Sequence, residues 1–306
     1  MNNYDVMIIG GGPAGMSGLL WCNSLGLRAV LLEQTGELGG QLLQMFHRVI
    51  DYPGLITGSG RELRDHFQAQ LSELQLSYRT GCTLEEINLR DRTLLSNGDR
   101  LASRAIILAT GARKRRLGIP GEDRFSIQNG VSFSATRDHG LYAGKNVCVI
   151  GGGDSAVENS LVLSRVCPHV TLIHRSDQFR ARPEWLRQAR ETPNITFLTG
   201  VEAKAIEGGE HVERLVVEEI PSRQQQTIAT EGVFIRAGIA PNTESFREQI
   251  ELDEAGYIKT NRRQQTSIEG VYAAGDVCRP VCLSVATATG QGAIAAKAAA
   301  LLLGLS

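Results

Sequence analysis

Aromatic residues are scarce in this chain, at 5%, and its charges nearly cancel, leaving a formal net charge of -1. A nucleic-acid surface of the stacking kind interleaves aromatic and basic side chains, so none is expected. No apolar run approaches the roughly 20 residues of a membrane-spanning helix. The nearest, Ala293 to Ser306, is short and interrupted by Lys297. Met1 to Asp5 carry no basic segment ahead of the first apolar run, which argues against a secretory signal and for a cytoplasmic protein. Six cysteines in 306 residues do not describe a disulfide framework. Cys22, Cys82, Cys148 and Cys167 read as small buried or partly buried thiols. His47, His66, His139, His169 and His211 have no cysteine or acidic partner at ligand spacing, so no metal site is expected.

Glycine, by contrast, is plentiful at 34 residues, beside an apolar content of 42%. That combination suits buried parallel sheets with close turns, and the length suits two domains. The chain is organised around one stretch near its start. Asp5 to Ile9 is an apolar run of strand type, Gly10-Gly11-Gly12-Pro13-Ala14-Gly15 is a GxGxxG turn, and a helix is expected to about Leu25. A second apolar run, Arg28 to Leu32, ends on Glu33. In such a half-site Gly10 permits the tight turn, Gly12 admits a pyrophosphate, Gly15 lets helix and strand pack closely, and the helix N-terminus offers N–H groups to the negative charge. Glu33 can accept both hydrogen bonds of an adenosine ribose, which favours FAD or NAD over a 2'-phosphorylated nucleotide.

Further along, Gly36 to Leu42 is a flexible turn whose Gly39 and Gly40 could bring backbone amides against a long cofactor. Gly60 to Leu76 has helical spacing, with Leu63, Phe67, Leu71 and Leu74 on one side. Arg104 to Gly111 reads as a buried strand closed by small residues. The basic run Arg113 to Arg116 followed by Pro120-Gly121 marks a crossing between domains, and Ala237 to Thr243 the return crossing. Between them, Val147 to Ile150 leads into Gly151-Gly152-Gly153-Asp154-Ser155-Ala156, a second half-site about 140 residues after the first. Its next strand, Val170 to Arg175, ends on a basic cluster, Arg175, Arg180, Arg182, Arg187 and Arg190, which suits a 2'-phosphate better than a carboxylate would. Residues 195 to 236 alternate as antiparallel strands would, and Gly256 to Thr260 is a further strand candidate. Gly270 to Val277 is a strand ending in Gly275-Asp276. Asp276 could cap the last helix or bond a ribityl hydroxyl, and the second reading is favoured. The last helix is expected from about Leu283 to Leu303, with Gly290 and Gly292 allowing approach to a flat ring or a chain phosphate.

Taken together, the GxGxxG turn, Gly39-Gly40-Gln41-Leu42, Ala109-Thr110-Gly111, the GxGxxA turn, His174-Arg175-Ser176-Asp177-Gln178-Phe179-Arg180, Pro241-Asn242-Thr243 and Gly275-Asp276 resemble the low-molecular-weight thioredoxin reductases. The resemblance implies an α/β fold of two Rossmann-like three-layer domains, the second inserted into the first. Residues 1–115 and 245–306 would form the FAD domain, and 116–244 an inserted NADPH-type domain, in a homodimer. It assigns to FAD Gly10, Gly12, Pro13, Ala14, Gly15, Glu33, Gln34, Gly40, Gln41, Leu42, Asp51, Ala109, Thr110, Gly111, Gly275, Asp276 and Val285. Gly151, Gly153, Asp154, Ser155, Ala156, His174, Arg175 and Arg180 would hold NADPH or, as in a related diflavin-linked subgroup, a second FAD.

Two departures from that pattern matter. The inserted domain of the family carries a Cys-x-x-Cys where this chain has Ser134 and Arg137, and a second arginine where it has Ser176. Cys278-Arg279-Pro280-Val281-Cys282, directly after Gly275-Asp276, offers a relocated pair. Four residues make one helical turn, within adjustment of disulfide distance, and a thiolate at the start of the last helix would have a lowered pKa. The function expected is an FAD-dependent disulfide oxidoreductase working through Cys278 and Cys282. Its acceptor would be a thioredoxin-like protein or a small disulfide, and ferredoxin could be a donor. The alternatives are a disulfide-free flavin oxidoreductase, like the ferredoxin-NADP reductases of the same fold, and a flavin-binding redox sensor without turnover.

Overall fold

The computed structural model describes residues 2–46 and 48–305, so His47 lies outside the described residues. The chain opens with β1 (Asn2–Ile9), α1 (Pro13–Ser24), β2 (Ala29–Leu32), α2 (Gly60–Glu73), β3 (Tyr78–Arg79), β4 (Leu84–Asn88), β5 (Thr93–Ser96), β6 (Asp99–Leu108) and β7 (Ala112–Lys114). It continues through β8 (Val131–Ser132), α3 (Ala135–Asp138), β9 (Val147–Ile150), α4 (Asp154–Leu163), β10 (Val170–His174), α5 (Pro183–Glu191), β11 (Ile195–Thr199), β12 (Val201–Glu207), β13 (Arg214–Glu219), β14 (Gln225–Ala229) and β15 (Gly232–Ile235). It closes with β16 (Ile239–Pro241), β17 (Val271–Ala273) and α6 (Val285–Leu302). Two compact units result, Met1–Arg113 with Ala240–Ser306, and Lys114–Ile239.

In the first unit the strand order is β3-β2-β1-β6-β5-β4, with β17 also pairing β6. The β1 run is apolar throughout because both faces of its sheet are covered. Val6 and Ile8 pack with Leu31, Ile107 and the small residues of α1 and α6, while Met7 and Ile9 pack on the opposite face with Phe246, Ile250 and Ile258. Alternation of period two thus feeds two cores from one strand. Gly292 of α6 lies so close to the Ala14 carbonyl that a Cβ there would overlap it. The expected use of Gly292 against a flat ring is therefore corrected: it serves the packing of α6 on α1. Leu63 and Leu71 of α2 are buried, but Leu74, just past its end, is 47% exposed and does not share their face.

In the second unit the order is β11-β10-β9-β15-β8, all pairs parallel. Val147 and Val149 face a core shared with α4 and α5, and Cys148 and Ile150 face one shared with β12 and β13. The antiparallel expectation for 195–236 holds only for β12, β13 and β14; β11 and β15 join the parallel sheet. Local alternation does not report which sheet a strand will enter. Gly256 to Thr260 forms no strand, only an isolated bridge between Leu252 and Ile258. Its two buried side chains, Tyr257 and Ile258, are adjacent, and Ile258 packs under the first sheet.

Candidate cofactor and thiol sites

The first half-site is built where β1 runs into α1. Gly10 turns at φ +110, and Cβ atoms at Gly10 and Gly15 would overlap the carbonyls of Ala109 and Gly10. Gly12, by contrast, faces open space. Pro13 stands at the first helical position with Gly12 as its extended N-cap, an arrangement that leaves the first N–H groups of α1 to an anion. Glu33 is 8% exposed. One carboxylate oxygen accepts from Gly11 N at 2.6 Å, and the other accepts from Thr35 N and Oγ1, both at 2.8 Å. Fixed in this way, the oxygen that accepts from Gly11 keeps one further acceptor site for a ribose hydroxyl, while the other is filled by Thr35.

The loop after β2 closes over this turn. Gly39 N donates to Gly11 O at 2.8 Å, and a Cβ on Gly40 would stand 3.1 Å from the Gly12 Cα. Arg64, buried on α2, donates to Leu38 O and to Glu37, both at 3.0 Å. Bonds from Arg61 and Arg64 hold the Glu37 carboxyl well below the usual range, at about 2. Gln41 Nε2 donates to Asp276 Oδ2 at 2.6 Å, which brings the loop and the Gly275-Asp276 strand end together. Burial pushes the Asp276 pKa up, opposed by the Gln41 bond. Asp276 is not the cap of α6; Ser284 is, its oxygen accepting from Thr287 N. Gly275 N donates to the Gln291 side chain at 2.8 Å, a fixing residue with no motif to announce it. Thr110 and Asn242 exchange two 2.7 Å bonds, which sets the end of β6 at Gly111. Leu42 and Ala109 are buried, Val285 packs against the α1–α6 core, and Gln34 and Asp51 are exposed. Open space at Gly12, free N–H groups and a fixed ribose acceptor fit the pyrophosphate and ribose of FAD.

The thiol segment departs from expectation. Cys278 ends a short turn, Asp276–Cys278, and α6 begins only at Val285, so the two cysteines do not share a helical turn. Both thiols are free. Cys278 packs against the core holding Ile258 and Phe246, and burial pushes its pKa up to about 12, partly offset by a bond with Thr260. The expected lowering at a helix N-terminus is corrected for this residue, because desolvation of the thiolate dominates. Cys282 is exposed. Between them Arg279 takes a left-handed conformation (φ +49), pairs with Asp253 at 3.5 Å and lies over the Tyr257 ring.

In the second unit, β9 ends in Gly151 at φ +153, and a Cβ on Gly152 would overlap the His174 ring. Arg180 N donates to Gly152 O at 2.8 Å, which brings the basic segment onto the turn. Asp154 receives bonds from Arg182 N and Nε at 2.7 and 3.1 Å, so Arg182 is engaged within the protein and stacks on Trp185. Arg175 and Arg180 are exposed. Burial lowers the His174 pKa. Where the family's second cysteine would stand, Arg137 grips Asp138 through two bonds of 2.5 and 2.6 Å.

The pyridine nucleotide-disulphide oxidoreductase model matches residues 4–292. The chain is 37% identical over 299 residues to the thioredoxin reductase of Mycolicibacterium smegmatis, covering 95% of this chain and 94% of that protein. This chain belongs to the pyridine nucleotide-disulphide oxidoreductase family. It is a thioredoxin reductase-like, FAD-dependent oxidoreductase within it. The thioredoxin reductase of Bacillus subtilis is 34% identical over 296 residues, covering 96% and 93% of the two chains. The crystal structure of the Lactococcus lactis thioredoxin reductase superposes with a TM-score of 0.83 at 32% identity, over 98% of this chain and 99% of that one. Among the described residues no helix is long and apolar enough to cross a membrane.

Proposed function

We propose that this family member is a disulfide reductase whose redox thiols are Cys278 and Cys282. The observation that supports the reading is a substitution of place: Ser134 and Arg137 stand where the inserted domain of the family carries cysteines, while a cysteine pair follows Gly275-Asp276, whose carboxylate is tied to Gln41 above the first half-site. FAD, when bound, supplies electrons two at a time. Gly10 to Gly15 and the N-terminus of α1 would hold its pyrophosphate, Glu33 its ribose, and Gly40, Gln41 and Asp276 the chain between. His174, Arg175 and Arg180, with the GxGxxA turn, would take a 2'-phosphorylated nicotinamide nucleotide.

The protein's own part is thiol exchange. Two electrons and two protons open a Cys278–Cys282 disulfide to two thiols. Exposed Cys282, as thiolate, attacks one sulfur of an external disulfide and expels the other as a thiolate. Cys278 then gives up its proton and attacks the Cys282 sulfur of the mixed disulfide, which releases the second acceptor thiol and restores the internal bond. Burial of Cys278 keeps it silent until that mixed disulfide exists. Closing the bond requires Cα atoms roughly 4.4 to 6.8 Å apart. The acceptor is a thioredoxin-like protein or a small disulfide.

Trapping tests the order of events. With Cys278→Ser, a mixed disulfide between Cys282 and the acceptor should accumulate and turnover should stop; with Cys282→Ser no adduct should form. An adduct on Cys278 alone would overturn the assignment. One observation favours a second reading, a disulfide-free NAD(P)H:acceptor flavin oxidoreductase: Cys278 is half-buried against the core, and desolvation pushes its pKa up to about 12. Undiminished electron transfer to a one-electron acceptor protein with both thiols blocked would select that reading.

A further inference from the structure

Arg236 follows β15 directly, a lone charge at the end of Val233-Phe234-Ile235. Its N–H donates to Ile150 O at 2.8 Å, and its carbonyl sits where a Cβ on Gly151 would overlap it. Arg236 therefore stands between β9 and β15, where the order β11-β10-β9-β15-β8 reverses direction. Open α/β sheets take ligands in the crevice at that reversal. One terminal nitrogen of the guanidinium donates to Phe133 O at 2.6 Å, whereas its Nε is buried and has no partner.

Lys114 lies near it, half-buried and without an ion pair among the described residues. The nearby acids do not compensate these cations. Asp138 is held by both Arg137 bonds and by Ser132 at 2.6 Å. Glu158 of α4 attracts Arg236 without pairing with it. Burial, with Arg236 and Arg137 as like charges and Asp138 opposing, lowers the Lys114 pKa to about 8. Two desolvated cations without an ion-pair partner among the described residues are costly, and an oxyanion arriving between them would relieve that cost.

We propose that Arg236 and Lys114 form an oxyanion site at the strand-order reversal of the second unit, taking a phosphate group beside the GxGxxA turn. The phosphate is either part of a dinucleotide lying across the turn or a separate anion. The dinucleotide form rests on reading this unit as a nucleotide domain, and inorganic pyrophosphate tests the cations independently of that reading.

Calorimetric titration of the full chain with inorganic pyrophosphate and with NADPH decides it, in the wild type, Arg236→Met and Lys114→Met. The wild type should bind pyrophosphate, and each variant should bind it about tenfold or more weakly. An anion beside Lys114 raises its pKa, so wild-type binding at pH 8 should take up protons, read from buffers of different ionisation enthalpy, and Lys114→Met should abolish that uptake. Parallel weakening of NADPH assigns the phosphate to the dinucleotide. Loss of pyrophosphate alone assigns it to a separate anion. Either outcome supports the site. Equal pyrophosphate affinity in the wild type and a folded variant, or no wild-type binding at millimolar concentration, would overturn it. Should Arg236→Met fail to fold, Lys114→Met decides by the same criteria.

Discussion

Cys278 and Cys282 differ in chemistry although they are four residues apart. With a pKa near 12, Cys278 is only about one part in ten thousand thiolate at pH 8, and the thiolate is the reactive form. Brief iodoacetamide treatment of the native reduced protein at pH 8 should label Cys282 and spare Cys278, as read by peptide mass spectrometry. Equal labelling would contradict the burial assigned to Cys278. Asp276 is a second test at this scale. Its carboxylate accepts the Gln41 bond that joins the loop to the strand end, and hydrogen bonds to charged groups contribute about 1.5–3 kcal/mol. Asp276→Ala should therefore weaken flavin retention by about tenfold or more, measured as FAD released on dilution. The sequence made Asp276, Glu33 and the glycines of both turns legible because each has a steric or charge role fixed by its place in a motif. It did not reveal Gln291, Ser284, Lys114 or Arg236. Their roles arise from neighbours 16 or more residues away, as in Gln291 with Gly275, or from a helix start that only the fold defines.

Among the elements, the contact of α1 with β1 and α6 leaves no room for an added side chain. A Cβ on Gly15 or Gly292 would overlap main-chain oxygen, of Gly10 and Ala14 respectively, and backbone cannot yield as a flexible side chain can. Gly15→Ala and Gly292→Val should each destabilise the protein by about 1–3 kcal/mol or more, seen as a lower urea midpoint, whereas Gly290→Ala, with nothing within 4 Å of its Cβ position, should be near neutral. The loop over the first half-site adds a pH signature. Glu37 is held at about 2 in the folded protein against about 4.3 unfolded. Its contribution is present in full above the unfolded value and is lost as pH falls through the folded one. The difference in urea midpoint between the wild type and Glu37→Gln should be full at pH 6 and shrink as pH falls from about 4.3 toward 2. Parallel strands were legible where both faces are apolar, as in β1 and β9. For β11 and β15 they were not, because alternation in a short run reports burial and leaves the pairing partner open.

For the whole molecule, two half-sites of one design sit in two units, and their ligands are set by the residues around each turn. A homodimer fits the exposed Trp21, Ile294 and Leu301 on α1 and α6, and light scattering should give twice the chain mass. Lys114 gives the molecule a basic-side signature. Its pKa is lowered to about 8 in the folded state against about 10.4 unfolded, so between those values the unfolded chain binds more protons and stability rises with pH; Lys114→Met should flatten that rise. The central claim is the thiol relay, and the Cys278→Ser, Cys282→Ser double variant tests it most directly. FAD content, NADPH-driven bleaching of the flavin and reduction of an external disulfide should be followed on one preparation. The relay predicts retained flavin, retained bleaching and disulfide reduction lost by at least a thousandfold, a loss of about 4 kcal/mol in transition-state stabilisation. Disulfide reduction at the wild-type rate in that variant would contradict it.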